Sequence, residues 1–220
     1  NVIGGTTAAD RNVVTGNTNG NIRLQTSTAP GNLVIGNYVG TNANGLGTST
    51  GTSGISVFDG AHDNQIGGPA SNQANLVAGL SGNGILLAAN SGSGNAILGN
   101  SVYDNGLLGI DLGSDDVTAN DTGDADTGAN NLQNFPVLSS AATTGSQIHI
   151  EGTLASDANS WFRVEFFASG TADVSGHGEG QRSIGYANVA TDASGQATVN
   201  AVLTASVAAG ESVTATATRS

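Results

Sequence analysis

Hydrophobic residues in the first half of the chain come in short runs, each bounded by Asn, Gly, Ser or Thr. Val13-Val14, Ile22–Leu24, Leu33–Ile35, Ile55–Phe58, Leu76-Val77, Ile85–Leu87, Ala96–Leu98 and Ile110–Leu112 are the clearest. Runs this short, rich in β-branched residues and lacking a 3.6-residue period, predict strands rather than helices. The runs also repeat. Asn1-Val2-Ile3-Gly4-Gly5 returns as Asn64-Gln65-Ile66-Gly67-Gly68, Asn12-Val13-Val14 as Asn75-Leu76-Val77, Ile22-Arg23-Leu24 as Ile85-Leu86-Leu87, and Asn32–Asn37 as Asn95–Asn100, all in one register of 63 residues (64−1, 75−12, 85−22, 95−32). A fixed period of short strands predicts a parallel β-helix, with three strands per coil and coils stacked about 4.8 Å apart. Alternation then places Ile and Leu inward and lines up Arg23, Ser56, Leu86 and Asp111 on the outer face. Asn at the strand heads suits tight corners and can bond along the stack in ladders.

After Pro136 the pattern changes to longer alternating stretches: Gln147–Leu154, Phe162–Ala168, Ser183–Thr191, Gln196–Leu203 and Ser212–Thr218, with a turn at Asp192-Ala193-Ser194-Gly195. This spacing predicts a small antiparallel, Ig-like sandwich of five or six strands. Trp161, Phe162, Phe166, Phe167 and Tyr186 are its expected aromatic core, and Arg163 with Glu165 an exposed ion pair. The expected layout is all-β: a right-handed parallel β-helix over 1–115, an acidic linker over 116–138, and the sandwich over 139–220.

The tract Asn105–Gly113 resembles the last coil of bacterial right-handed parallel β-helix repeat proteins. Asn120–Val137 resembles the linker those proteins carry, and Phe162–Ser169 with Gly178–Gln181 resembles their next module. The likeness implies a large secreted or surface bacterial protein; it speaks to architecture more than to activity. Related modules continue past an Ala-Thr-Ala-Thr strand into another, so the sandwich is expected to be one strand short. A chain that opens inside a repeat also reads as a piece of something longer.

Charge narrows the partners. Seventeen acidic residues face five basic ones, all Arg, for a formal net charge of −12 over 220 residues. Such a chain repels nucleic acid and anionic lipid. No apolar run approaches the roughly 18 residues of a membrane span. With no Cys there is neither a disulfide framework nor thiol chemistry.

The strongest candidate chemistry is a calcium site. Asp121, Asp124 and Asp126 precede Gly128, and Asn130 follows; alternate oxygen ligands around a Gly turn can wrap one hard cation. Asp115 and Asp116 could add ligands from upstream. Catalysis finds less support. Arg23 and Asp111 are expected roughly 14 Å apart on the stack, too far to share a reaction, and glycoside hydrolysis needs paired carboxylates about 5–9.5 Å apart. His62, His149 and His177 lack partners at metal-ligand spacing. The sequence therefore points to a non-catalytic, calcium-stabilised structural or adhesive module on a bacterial surface or outside the cell. Its expected partners are further copies of itself, joined head to tail by a donated strand into a fibre, or other surface proteins. The alternative is a β-helix protein that binds or degrades extracellular polysaccharide.

Overall fold

A computed structural model describes residues 1–28 and 30–220. The chain forms two compact units: Asn1–Thr118 with Thr127–Asn130, and Ala119–Asp126 with Asn131–Ser220. Residues 116–138, the acidic stretch, are divided between them.

Among the described residues, the strands of the first unit all pair in parallel. β1 (Val2–Gly4), β4 (Leu33–Ile35), β7 (Gln65–Gly67) and β10 (Ala96–Leu98) form one sheet. β2 (Val13–Val14), β5 (Tyr38–Val39), β8 (Leu76–Ala78) and β11 (Ser101–Tyr103) form the second. β3 (Ile22–Gln25), β6 (Ile55–Phe58), β9 (Ile85–Ala88) and β12 (Ile110–Gly113) form the third. The chain visits the three sheets in turn and pairs each strand with the one three places on, which is compatible with a β-helix-like fold.

The 63-residue repeat corresponds to two such circuits. In the second sheet Val13 pairs with Tyr38 and Tyr38 with Leu76, steps of 25 and 38 residues that sum to 63. The longer step carries the turn in which Asn42 accepts from the amides of Asn44 and Leu46. Ile22, Leu24, Ile55, Val57, Ile85 and Leu87 are buried, so the third sheet turns these residues inward. The column Arg23–Ser56–Leu86–Asp111 is in register. It is not an open face, however. Arg23 is exposed, but Ser56 and Asp111 are 1% and 2% exposed, and Asp111 accepts from Asn83 at 2.7 Å and from the Ser114 amide in the turn after β12.

Asn residues hold two corners. Asn32 Nδ2 donates to Asn64 Oδ1 and Asn64 Nδ2 to Asn95 Oδ1, both at 2.8 Å. At the next corner Asn37 donates to Asn75 and Asn75 to Asn100, at 3.0 and 2.9 Å. Buried amides left unpaired would cost about 1–3 kcal/mol each; stacking satisfies them in series. The repeated Gly4 and Gly67 are explained at the same corners. Both have positive φ, and a Cβ would lie about 2 Å from the carbonyl oxygen of Ile35 or Leu98.

The second unit has two three-stranded antiparallel sheets. One has the order β13 (Val137–Thr143), β14 (Ile148–Ala155), β17 (Gln196–Leu203); the other β16 (Arg182–Ala190), β15 (Trp161–Ser169), β18 (Ser212–Arg219). They share one core containing Ile148, Ile150, Leu154, Phe162, Val164, Phe166 and Val199. Two expected core residues lie elsewhere. Trp161 is 61% exposed and Tyr186 49%, since alternation over Trp161–Phe166 and its β16 partners, up to the bulge at Gly185, sends them to the outer face. The Arg163–Glu165 pair is correspondingly less exposed than expected. Its Nε–Oε1 distance is 2.9 Å, and Glu165 is buried on that outer face. Among the described residues no helix is long and apolar enough to cross a membrane.

Candidate metal centre

The loop Ala119–Asp126 is fastened to the rest of the second unit by amide side chains. Asn120 Nδ2 donates to the Phe135 carbonyl at 2.8 Å, and its Oδ1 accepts from the Phe135 amide at 2.9 Å. Asn134 is buried. Its Oδ1 accepts from the Asp121 amide at 3.0 Å, and its Nδ2 donates to the carbonyls of Asp121 and Ala155 at 2.9 and 2.8 Å. These bonds fix the loop at Asn120 and Asp121, from where its carboxylates converge.

Asp121, Asp124 and Asp126 each present a carboxylate oxygen within 4.8 Å of the others. Calcium–oxygen distances of about 2.3–2.6 Å allow ligands on one ion to stand up to roughly 5 Å apart, so the cluster fits one calcium sphere. The three side chains are unequally engaged. Asp124 accepts from the Asn134 amide at 2.8 Å and from the Ser156 hydroxyl, which Gln133 also contacts at 2.9 Å. Asp121 Oδ2 accepts from the Ala125 amide at 3.1 Å. Asp121 Oδ1 and Asp126 Oδ1 are buried with no hydrogen-bond partner. Buried acceptors left unsatisfied are costly, and a cation is the partner that suits anionic ones.

The protonation equilibria agree. Burial pushes the Asp124 carboxyl above its ordinary value; the Ser156 and Asn134 bonds oppose this, and the charges of Asp157 and Asp121 add to it. Asp126 is raised by burial, then by Asp121 and Asp124. Both shifts are chiefly the cost of burying a carboxylate, and the neighbouring carboxylates add to it. Asp124 also has φ 56°, a left-handed conformation that Asp and Asn tolerate better than most residues.

The other proposed ligands lie in the first unit. Asp115 and Asp116 are exposed after β12, where their charges help raise Asp111, itself shifted upward chiefly by burial. Asn130 continues an Asn corner: its Oδ1 accepts from the Asn95 amide at 3.0 Å and its Nδ2 donates to the Asn95 carbonyl at 2.7 Å. The residues that sequence reasoning left out are Asn120, Asn134 and Ser156. No spacing marks them: Asn134 and Ser156 reach Asp124 from 10 and 32 residues away, and Asn120, beside Asp121, acts by bonding Phe135 15 residues on.

Among the histidines, His62 is partly exposed and held by Asp63 at 2.8 Å, which raises its pKa, and His149 meets Asn200 at 3.0 Å. His177 stands edge-on to Phe135, with centroids 5.2 Å apart. No protein-family model and no curated protein sequence matches the chain.

Proposed function

We propose that this chain is a non-catalytic, calcium-stabilised structural module of a secreted or surface-exposed bacterial protein. The first unit is a right-handed parallel β-helix and the second an Ig-like sandwich. Right-handedness follows from the strong preference of parallel crossovers for that hand. The observation that carries the reading is the Asp121–Asp124–Asp126 cluster, with two buried carboxylate oxygens lacking partners. Calcium bound there ties the 119–126 loop to the strands of the second unit through Asn134 and Ser156. A structural rather than catalytic role is supported by the fate of the polar groups. Arg23 and Asp111 sit on opposite edge strands of one sheet, three strand spacings or roughly 14 Å apart. Asp111 is consumed by Asn83 and the Ser114 amide.

Localisation outside the cell rests on the resemblance in sequence and on calcium chemistry, since extracellular modules work with sites of modest affinity. Self-assembly is the further part of the proposal. The second unit keeps open sheet edges at β13 and β18, and between them a groove of about 300 Å³ includes Leu138, Ile148, Val207 and Val213. An added strand from another copy would pair with such an edge, and a head-to-tail arrangement would extend into a filament. Electron microscopy of the purified chain at high concentration, with calcium and with EGTA, tests it. Filaments that fray in EGTA are expected; dispersed particles under both conditions would exclude assembly.

A further inference from the structure

We propose that the outer face of the β16-β15-β18 sheet binds an uncharged polysaccharide, with Trp161 and Tyr186 as stacking platforms. β15 is the central strand of its sheet, and its core-facing residues Phe162, Val164 and Phe166 are fully buried. The opposite face of this rigid strand carries Trp161, Arg163 and Glu165 in line. Arg163 lies between Asn188 of β16 and Thr218 of β18, and Glu165 lies across from Tyr186. Four residues separate Trp161 from Glu165, so the two aromatic positions stand about 14 Å apart along the strand.

The Tyr186 ring is held in place. The Arg163 guanidinium lies over one face of the ring, 3.5 Å from its centroid, so a ligand would stack on the other face, and buried Glu165 fixes the guanidinium through Nε. Half of the Tyr186 surface and more than half of Trp161 remain in solvent. Exposing two aromatic groups on a central strand and its neighbour, while one of them is immobilised, builds a surface organised before any ligand arrives. A sugar chain has matching chemistry. Its rings offer apolar C–H faces to stack on indole and phenol, and its hydroxyls can bond to the Asn188 amide and the Thr218 hydroxyl between them.

Charge and area decide among occupants. Arg163 and Glu165 neutralise each other, and the other charged residues of the three strands, Arg182 and Arg219, are paired with Glu211 and Asp157. An uncharged ligand therefore loses nothing here, whereas an anionic one meets a molecule of net charge −12. A second copy of the chain or another protein needs about 800 Å² on each side, of which roughly 450 Å² is apolar. Two partly exposed rings supply roughly 200–300 Å² of apolar surface, and polar residues separate them. The proposal is independent of calcium and of filament formation.

The test uses the full chain, whose single tryptophan is Trp161 itself. Native electrophoresis is run through gels containing hydroxyethyl cellulose, galactomannan, dextran or polygalacturonate. At least one of the three neutral polymers should slow migration, and its oligosaccharides should shift Trp161 emission to the blue and shield it from acrylamide. Trp161→Ala should weaken binding at least ten-fold at unchanged melting temperature. Trp161→Phe should retain part of the binding, and Tyr186→Ala should lose several-fold. Failure of every neutral polymer, retardation by polygalacturonate alone, or equal retardation of Trp161→Ala would overturn the proposal. So would self-association in sedimentation that Trp161→Ala abolishes, which would make a second copy the occupant.

Discussion

Asp124 shows how much a single side chain can carry. It sits in a left-handed turn, accepts from a buried backbone amide and a hydroxyl, and faces two further carboxylates. Its carboxyl and that of Asp126 are raised above their unfolded values. A raised carboxyl favours folding when protonated, and that contribution is lost as pH climbs through the folded-state pKa. Metal-free protein should therefore lose stability from these two groups as pH rises from the acid range towards neutrality. Asp192 and Glu211, both lowered by hydrogen bonds, work in the opposite direction. The comparison that isolates Asp124 is wild type against Asp124→Asn, which keeps a residue tolerant of φ 56°. In EGTA the variant should be the more stable of the two near pH 7, and the gap should close on acidification, as read from melting temperature against pH. With calcium the order should reverse at neutral pH. The Asp spacing was legible because three carboxylates within six residues, at steps of three and two, are a local signal. Asn134 was not, because its role depends on a fold that brings residue 134 beside residue 121.

At the level of elements, the corner ladders and the central strand β15 are the parts with most to lose. Asn64 donates to Asn95 and accepts from Asn32, both buried partners. Asn64→Ala breaks both bonds and leaves amide groups unpaired, so a loss of about 2–4 kcal/mol is expected in denaturant unfolding. A loss below about 0.5 kcal/mol would mean the ladder does not support the corner. Arg163→Ala removes the cation from buried Glu165 and frees the Tyr186 ring; roughly 3 kcal/mol of destabilisation is expected by the same measurement. Most strands could be read from the sequence because runs such as Ile85–Leu87 and Phe162–Ala168 combine β-branched or aromatic residues with sharp Gly or Asn boundaries. β5, β11 and β13 were harder. Tyr38-Val39 and Ser101–Tyr103 carry a single inward residue each, and Val137–Thr143 is an edge strand whose residues are mostly exposed. The misplaced aromatics have one cause: residue type suggested burial for Trp161 and Tyr186, while the two-residue alternation of β15 and β16 decided their face.

For the whole molecule, the repeat made the strand pattern of the first unit legible, since Asn1/Asn64, Asn12/Asn75 and Ile22/Ile85 mark strands of one sheet two circuits apart, while the strands between them had to be read from their own runs. The way residues 116–138 are shared between the two units could not be read, because a loop's path depends on distant hydrogen bonds rather than on its own pattern. The central claim is that calcium completes the second unit at Asp121, Asp124 and Asp126. Differential scanning calorimetry of the full chain, in EGTA and in calcium, addresses it most directly. At a calcium concentration 100 times the dissociation constant, binding adds about 2.7 kcal/mol, which should raise one unfolding transition by about 10 °C or more. Asp124→Asn should remove most of that rise. Superimposable traces with and without calcium, or a rise that survives Asp124→Asn undiminished, would contradict the claim.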